Sequence, residues 1–312
     1  MTKCYLCGCE KHVKRADDVR EKTGTKVFQC IECGLVFLDN KNIDENYYRQ
    51  NKMLNDDFFQ VTKRSNGGRS LKENIKSFEN DWKIRIEKRF ELLKNKLVGK
   101  DILDFGSGHG AFLIKAKEYA KSVTGLEIEE QVDLIYKEHG ISLERDLDLL
   151  IKKRYSNTNI LAEDERGVYD IITAFHVIEH LQDPINVLNK LSKLLRNDGK
   201  IIIEVPNGND ALFTFYNNKA YQKFQYIMVH LFYFTPNSLE LLAKKANLKV
   251  DFIKCVQRWP LSNTLYWLSY GEPAGDKHWG NFIDNPILQN AYEQTLASLG
   301  ATDTLIAQFS KI

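Results

Sequence analysis

The stretch Asp101-Ile-Leu-Asp-Phe-Gly-Ser-Gly-His-Gly110 constrains this chain more than any other. An apolar run ends in an acid, and three glycines follow at alternate positions. That order predicts a buried strand, a tight turn and a helix. Glycine lacks a Cβ and tolerates positive φ, so such a turn lets a ligand approach the backbone closely. Seventeen residues past Gly110, a second apolar run, Val123-Thr-Gly-Leu-Glu127, also ends in an acid. A carboxylate there is suited to accept both hydroxyls of a ribose. The two features together predict a site for a nucleoside-containing ligand.

From residue 101 onward the hydrophobic pattern alternates between strand and helix periods. It predicts strands at 101–105, 122–127, 141–145, 169–175, 200–205, 249–256 and 303–309. It predicts helices at 111–120, 129–138, 184–196 and 237–246. Upstream, Ile86, Phe90, Leu93 and Leu97 mark one face of a helix over 82–97. Thr235 or Asn237 is the expected cap of the 237–246 helix, with Pro236 in its first turn. This alternation argues for a doubly wound α/β fold on a mostly parallel seven-stranded sheet. A ligand is then expected beyond the carboxyl ends of the strands.

Five of the six cysteines fall within the first 33 residues. Cys4-Tyr-Leu-Cys7 and Cys30-Ile-Glu-Cys33 are two C-x-x-C pairs separated by 22 residues. Each pair forms a knuckle aiming two thiolates at one ion, and two knuckles complete a tetrahedral S₄ site suited to Zn²⁺. Disulfides are a poor alternative in a reducing compartment, and a redox pair lacks its βαβ context. Four ligands leave no open position, so the zinc is expected to be structural. Cys9 is a spare thiol beside the site.

The net charge of +2 is spread unevenly. Residues 1–100 hold 22 Lys and Arg against 15 Asp and Glu, and the remainder holds 22 against 27. A basic front attracts anions, but a solvated surface is the simpler account. No dense basic stripe suggests a nucleic-acid partner. Neither a membrane-spanning run nor a signal-peptide pattern is present, so a cytoplasmic location is expected.

Gly106, Gly108 and Ala111 satisfy the dinucleotide pattern G-x-G-x-x-A, but Asp104 inside the strand and Gly110 one position early argue against it. The pattern D-x-G-x-G-x-G instead resembles the first motif of class I S-adenosylmethionine-dependent methyltransferases. Tyr169-Asp-Ile-Ile-Thr-Ala-Phe-His-Val-Ile-Glu-His-Leu-Gln-Asp-Pro184 resembles that family's fourth strand and following turn. Asp198-Gly199 and Lys200-Ile-Ile-Ile-Glu-Val-Pro206 resemble its next turn and fifth strand. The resemblance spans residues 82–310. Combined with the front C-x-x-C pairs, it is similar to bacterial sugar methyltransferases of deoxysugar and surface-polysaccharide pathways. It implies three parts: a zinc module over 1–40, a linker or lid over 41–81, and a methyltransferase domain over 82–312. That domain would carry an aromatic acceptor-binding insert at 207–235 and a cap at 257–300.

The resemblance also implies site roles. Asp104, Gly106, Ser107, Gly108 and Gly110 would cradle the methionine part of S-adenosylmethionine. Glu127 would hold the ribose beside Ile128, Asp146 would reach the adenine, and Phe175 and His176 would border the sulfonium. His176-Val-Ile-Glu179-His180 also matches the inverted zinc-protease motif, but that motif needs a helix and this segment ends a strand. His180 is instead the expected general base, with Glu179 orienting it, and His230 is the competitor. The bland alternative is a structural turn. The aromatics of 207–235, with Asn207 and Asn209, are expected to bind the acceptor, although a lid with its own core explains many of them. Arg258 and Lys277 are candidates for reading an acceptor anion.

The expected reaction is methylation of a hydroxyl on a sugar or polysaccharide precursor. Alternatives are C- or N-methylation of a nucleotide-linked deoxysugar, or a non-catalytic protein retaining the fold. Nucleic-acid methylation is disfavoured, because no Asn/Asp-Pro-Pro-aromatic tetrapeptide follows the fourth strand.

Overall fold

A computed structural model describes residues 3–39, 46–49, 86–87, 89–156 and 167–312. The aromatic pair Phe58-Phe59, expected equally as a flap over a ligand or as a core anchor, and most of the 41–81 segment lie outside the described residues.

The large sheet holds seven strands: β4 (Asp101–Phe105), β5 (Ser122–Leu126), β6 (Ser142–Glu144), β7 (Tyr169–Phe175), β8 (Leu195–Pro206), β10 (Leu248–Val256) and β11 (Thr304–Lys311). Their order is β10-β11-β8-β7-β4-β5-β6. All neighbours run parallel except β11, which is antiparallel to both β8 and β10. Winding starts at β4, proceeds to β6, then returns to β7 on the other side of β4. The switch point therefore lies between β4 and β7, at their carboxyl ends. All five residues of β4 are buried, as a strand covered on both faces requires.

The helices pack where the pattern placed them, with shorter bounds. Residues 111–120 form a helix only over Ala111–Ala116. The 129–138 segment is a 3₁₀ turn, Glu130–Val132, followed by the helix Asp133–Glu138. Pro184–Leu194 begins on an Asp183 cap. It stops two residues early because Leu195 already pairs with Tyr169 of β7. Residues 196–199 then leave the ladder before Lys200 pairs with Ile171, so the Asp198-Gly199 turn becomes an interruption within a longer strand. Thr235, not Asn237, caps Pro236–Lys245, exchanging hydrogen bonds with Ser238. Among the described residues, six helices had no clear sequence signal: Asn46–Arg49, Leu147–Ser156, Lys219–Gln225, Leu261–Tyr270, Gly275–Ile283 and Pro286–Ser298.

A second sheet joins the front of the chain to its second half. Strands β1 (His12–Ala16), β2 (Val27–Cys30) and β3 (Val36–Leu38) form an antiparallel meander. Its fourth strand is β9 (Phe232–Tyr233), with Val36 opposite Tyr233 and Phe37 opposite Phe232. Tyr5 extends the contact, its hydroxyl 2.5 Å from the Asp183 carboxylate. Cys4, Leu35 and Phe37 share one apolar core with Ile178, Leu231 and Phe232. No helix among the described residues is long and apolar enough to cross a membrane.

This arrangement revises the reading of the 207–235 aromatics. Phe213, Tyr221, Tyr226, Phe232, Tyr233 and Phe234 are buried. Phe213, Tyr221, Tyr226 and Tyr233 pack with Val27, Val36 and Leu38 beneath the small sheet. Phe215 and Tyr216 are exposed. Asn207 is fully buried, and its side-chain amide donates to the Gly300 and Thr302 carbonyls. It closes the loop before β11 and has no N–H left for an acceptor.

Candidate active site

Gly106, Gly108 and Gly110 all adopt left-handed φ, at 70°, 51° and 69°. A Cβ at Gly106 would overlap the Val177 side chain, whereas one at Gly108 would meet open space. The turn is thus packed against the protein at its first glycine and open at its second. Its other support is Tyr136, whose hydroxyl lies 2.6 Å from Ser107 Oγ and 3.1 Å from the Gly108 carbonyl. The Tyr136 ring fits there because β5 carries Gly125. A Cβ on Gly125 would stand 2.5 Å from Tyr136 Cε1.

Glu127 follows β5 directly. Its Oε2 accepts from the Gly108 N–H at 2.7 Å, and Oε1 accepts from Ile128 and Glu129 N–H at 2.7 and 2.9 Å. Arg145 donates to the Glu127 carbonyl at 2.9 Å and also to the Glu129 carbonyl. The carboxylate is therefore oriented toward the glycine turn before any ligand arrives. Asp104 lies beneath, 3% exposed, and accepts from Thr173 Oγ1 at 2.7 Å. Burial, reinforced by the Glu127 charge, pushes its carboxyl up to about 7 against the opposing pull of Thr173 and Arg89. Asp146 Oδ1 accepts from the Leu149 N–H, so this residue caps the helix Leu147–Ser156.

The end of β7 carries a denser set of charges. His176 sits in the left-handed region, at φ 57°. Its N–H donates to the Glu204 carbonyl at 2.8 Å. Its ring spans two carboxylates, with Nδ1 3.2 Å from Glu179 Oε1 and Nε2 2.9 Å from Glu204 Oε1. Arg258 brings a guanidinium nitrogen 2.6 Å from the same Nε2. Arg89 Nε donates to Glu204 Oε2 at 2.8 Å, and its guanidinium stacks 4.2 Å from the Phe175 ring centre. Burial works against ionisation of Glu204, but Arg89 and His176 outweigh it and hold the carboxyl well below its ordinary range. Arg258 is fixed from behind: the N–H groups of Arg258 and Trp259 donate to the Asp303 carboxylate. Glu204 and Arg89 escaped the sequence reading. The signal for Glu204 was an acid set within the run Ile-Ile-Ile-Glu-Val, where a buried carboxylate calls for a partner or a proton.

Glu179 and His180 lie on a single 3₁₀ turn, Ile178–His180, and not on an α-helix. Glu179 is fully buried. Its Oε2 has no hydrogen-bond partner among the described residues, nor has His230 Nδ1. His180 Nδ1 is 2.9 Å from the Val229 carbonyl, and its ring meets that of His230 edge to face, centres 4.8 Å apart. Tyr48 stands over His180, its hydroxyl 3.4 Å from Nδ1. Burial lowers the His180 pKa and drops that of His230 further, so both rings are neutral near pH 7. The structure thus places His180 and His230 side by side, although one precedes β8 and the other precedes β9.

At the front, Cys4 and Cys33 Sγ are 3.5 Å apart and Cys7 and Cys30 Sγ are 3.4 Å apart. All four sulfurs lie within 4.8 Å of one another. A zinc ion with Zn–S distances of about 2.3 Å requires sulfurs about 3.8 Å apart, so the four cysteines fit the metal. Gly8 and Gly34, both at φ 75°, close the two knuckles. Cys9 points away and accepts from the Lys11 N–H.

A family model described as a methyltransferase domain matches residues 81–251, more than half of the chain. A ubiquinone biosynthesis O-methyltransferase from Hydrogenovibrio crunogenus is 25% identical over 210 residues, covering 62% of this chain and 83% of that protein. One of the same description from Pseudomonas aeruginosa is 25% identical over 119 residues, covering 38% of this chain and 50% of its own length. The chain spans about half the length of most curated relatives it matches. Among solved structures, a S-adenosylmethionine-dependent methyltransferase from Thermotoga maritima, described as a possible histamine N-methyltransferase, aligns with a TM-score of 0.46. It is 15% identical, covering 81% of this chain and 99% of that one.

Proposed function

The chain belongs to the class I S-adenosylmethionine-dependent methyltransferases, and we propose that it methylates a hydroxyl group of a small carbohydrate acceptor or polysaccharide precursor. The observation that carries this reading is topological. The glycine turn leaves β4, Glu127 leaves β5 and the His176–His180 segment leaves β7, all at one end of the sheet and on both sides of β4. A nucleoside side and an acceptor side therefore meet at the switch point.

S-adenosylmethionine, when bound, supplies an electrophilic methyl group on a sulfonium. The residues present fit that donor. Glu127 is pre-oriented for a ribose, Ile128 adjoins it, and Gly108 leaves room for close approach. The buried Asp104 carboxyl, which ionises with difficulty, gains a cationic counterpart. The turn Gly106-Ser107-Gly108 and Gly110 hold the methionine portion, with Phe175 and His176 toward the sulfur. Asp146 retains one carboxylate oxygen for the adenine side.

On the acceptor side, the hydroxyl must lose its proton as the new bond forms. Glu179, His180 and His230 form the cluster that handles it. Val229 fixes the His180 ring by accepting from Nδ1, which leaves Nε2 as the reactive nitrogen. Positioning contributes about 7–11 kcal/mol to such a transfer, against about 10²–10⁴-fold for a positioned base. Loss of His180 should therefore cripple turnover without abolishing it. The charged groups bordering the site, His176, Glu204, Arg89 and Arg258, suit a polyhydroxylated acceptor better than an apolar one. Zn²⁺ at Cys4, Cys7, Cys30 and Cys33 would hold the small sheet, and with it β9 and His230.

A second reading, a phenolic hydroxyl, is favoured by the similarity to ubiquinone biosynthesis O-methyltransferases. Calorimetric titration with S-adenosylmethionine tests the donor. Mass spectrometry of surface glycans with and without the gene tests the acceptor. Loss of one CH₂ from a sugar supports the first reading, and unchanged glycans with a methylated phenol in vitro support the second.

A further inference from the structure

The Glu179, His180 and His230 cluster holds more unpaired donor capacity than a packed interior tolerates. One ligand atom from each residue lies within 4.8 Å of the other two. Glu179 is fully buried, yet its Oε2 has no hydrogen-bond partner among the described residues, and neither does the buried His230 Nδ1. A buried carboxylate oxygen and a buried imidazole nitrogen left bare each carry a desolvation cost.

We propose that Glu179, His180 and His230 bind a divalent first-row transition cation, separate from any zinc held by the cysteines. Two imidazoles and one carboxylate are the donor set for Zn²⁺, Mn²⁺, Fe²⁺ or Co²⁺. The surroundings match what such a site needs. The Val229 carbonyl takes the His180 Nδ1 proton at 2.9 Å, which directs the Nε2 lone pair to the ion. His176 Nδ1, 3.2 Å from Glu179 Oε1, steadies the carboxylate. His180 Nε2 and Glu179 Oε1 are 4.0 Å apart, wider than the roughly 3.4 Å that a tetrahedral ion with bonds of about 2.1 Å sets, so binding would draw the two side chains together by about half an ångström. The donors come from the turn after β7 and from the residue two before β9, so the ion would also tie the small sheet to the large one.

Three protein ligands leave the coordination shell open. The remaining positions accept water or an acceptor oxygen, and a hydroxyl bound there is acidified. This role rests on the methyltransferase reading, in which the cluster handles the acceptor hydroxyl, and it makes His180 a ligand instead of a base. Cation binding itself does not depend on that reading.

Co²⁺ titration of the metal-free, reduced full-length protein separates the two sites by colour. The cysteine site gives a near-ultraviolet thiolate charge-transfer band, and the proposed site gives only weak visible d–d bands. The expected result is two equivalents bound by the wild type, and one equivalent, with the thiolate band intact, by both E179Q and H230A. An intact thiolate band and unchanged S-adenosylmethionine binding show that a variant has folded. If H230A does not fold, the isosteric E179Q decides. Saturation of the wild type at the single thiolate-bound equivalent would overturn the proposal, as would retention of the second equivalent in the folded variants. A second equivalent in a protein that fails to bind S-adenosylmethionine would leave the cation site standing and remove the methyltransferase reading.

Discussion

The Tyr136 hydroxyl sits 2.6 Å from Ser107 Oγ, so the turn after β4 is held from below by the helix that follows β5. The same hydroxyl is 3.1 Å from the Gly108 carbonyl. Loop and helix belong to successive strand–helix units, and the contact sets the height of the turn relative to Glu127. Y136F should cost about 1 kcal/mol of stability and weaken S-adenosylmethionine binding about 3–10-fold. Thermal unfolding and calorimetry read the two effects. Unchanged affinity would show that the turn holds its shape without Tyr136.

Gly106 is constrained twice, by its left-handed φ and by Val177. G106A should lower stability by about 2–4 kcal/mol, combining overpacking with backbone strain. The double variant G106A/V177A removes the overlap and leaves the strain, so part of the stability should return. A double variant no better than the single one would place the whole penalty in the backbone.

Glu127 offers a clean test of the donor side. E127A removes the acceptor of three backbone N–H groups and the proposed ribose ligand. Loss of a charged hydrogen-bonding group is worth about 1.5–3 kcal/mol, so affinity for S-adenosylmethionine should fall about 10–100-fold. Calorimetry against the wild type measures it, with circular dichroism confirming the fold.

Asp104 makes stability and donor affinity depend on pH. Its carboxyl, raised by burial to about 7 from an ordinary 3.8, stays protonated in the folded chain while the unfolded chain ionises. Its contribution is complete below pH 4 and is lost as pH rises toward 7, by about 4 kcal/mol. D104N should flatten this slope and be the more stable protein at pH 8. A permanently cationic sulfonium favours the ionised form, so donor affinity should rise about tenfold from pH 6 to pH 8 in the wild type. D104N should show no such rise.

The cysteine knuckles predict a graded response. C33S should lose zinc and melt the small sheet, whereas C9S should keep one zinc, because Cys9 Sγ is turned to the Lys11 backbone. Elemental analysis and limited proteolysis of residues 3–39 distinguish the two.

Much of this was legible in the chain. All seven strands of the large sheet appear within a few residues of their predicted positions, because short apolar or alternating runs bounded by charged or turn residues mark them. The glycine turn and Glu127 were legible for the same reason: a backbone conformation dictates glycine, and a strand end dictates where the acid stands. The helices Leu261–Tyr270, Gly275–Ile283 and Pro286–Ser298 were not, since each buries only a few side chains and the first two are covered largely by one another. The aromatics of 207–235 left two readings open for a related reason. Density alone does not distinguish rings lining a pocket from rings beneath a second sheet, and that sheet is assembled from distant pieces. His180 beside His230 and His176 beside Arg258 are likewise products of topology, which no local pattern contains.

The pairing of Phe37 with Phe232 carries a kinetic consequence. During synthesis the first forty residues emerge with all four paired cysteines in place but without their last neighbour, which is made about two hundred residues later. Until then the outer edge of β3 is an unprotected ribbon of buried-type residues, Val36, Phe37 and Leu38. Ring closure over so long a span is slow, and a bare strand edge invites foreign partners while it waits. The cysteine-held front of this protein is thus finished late, and its quality depends on the ribosome reaching Tyr233.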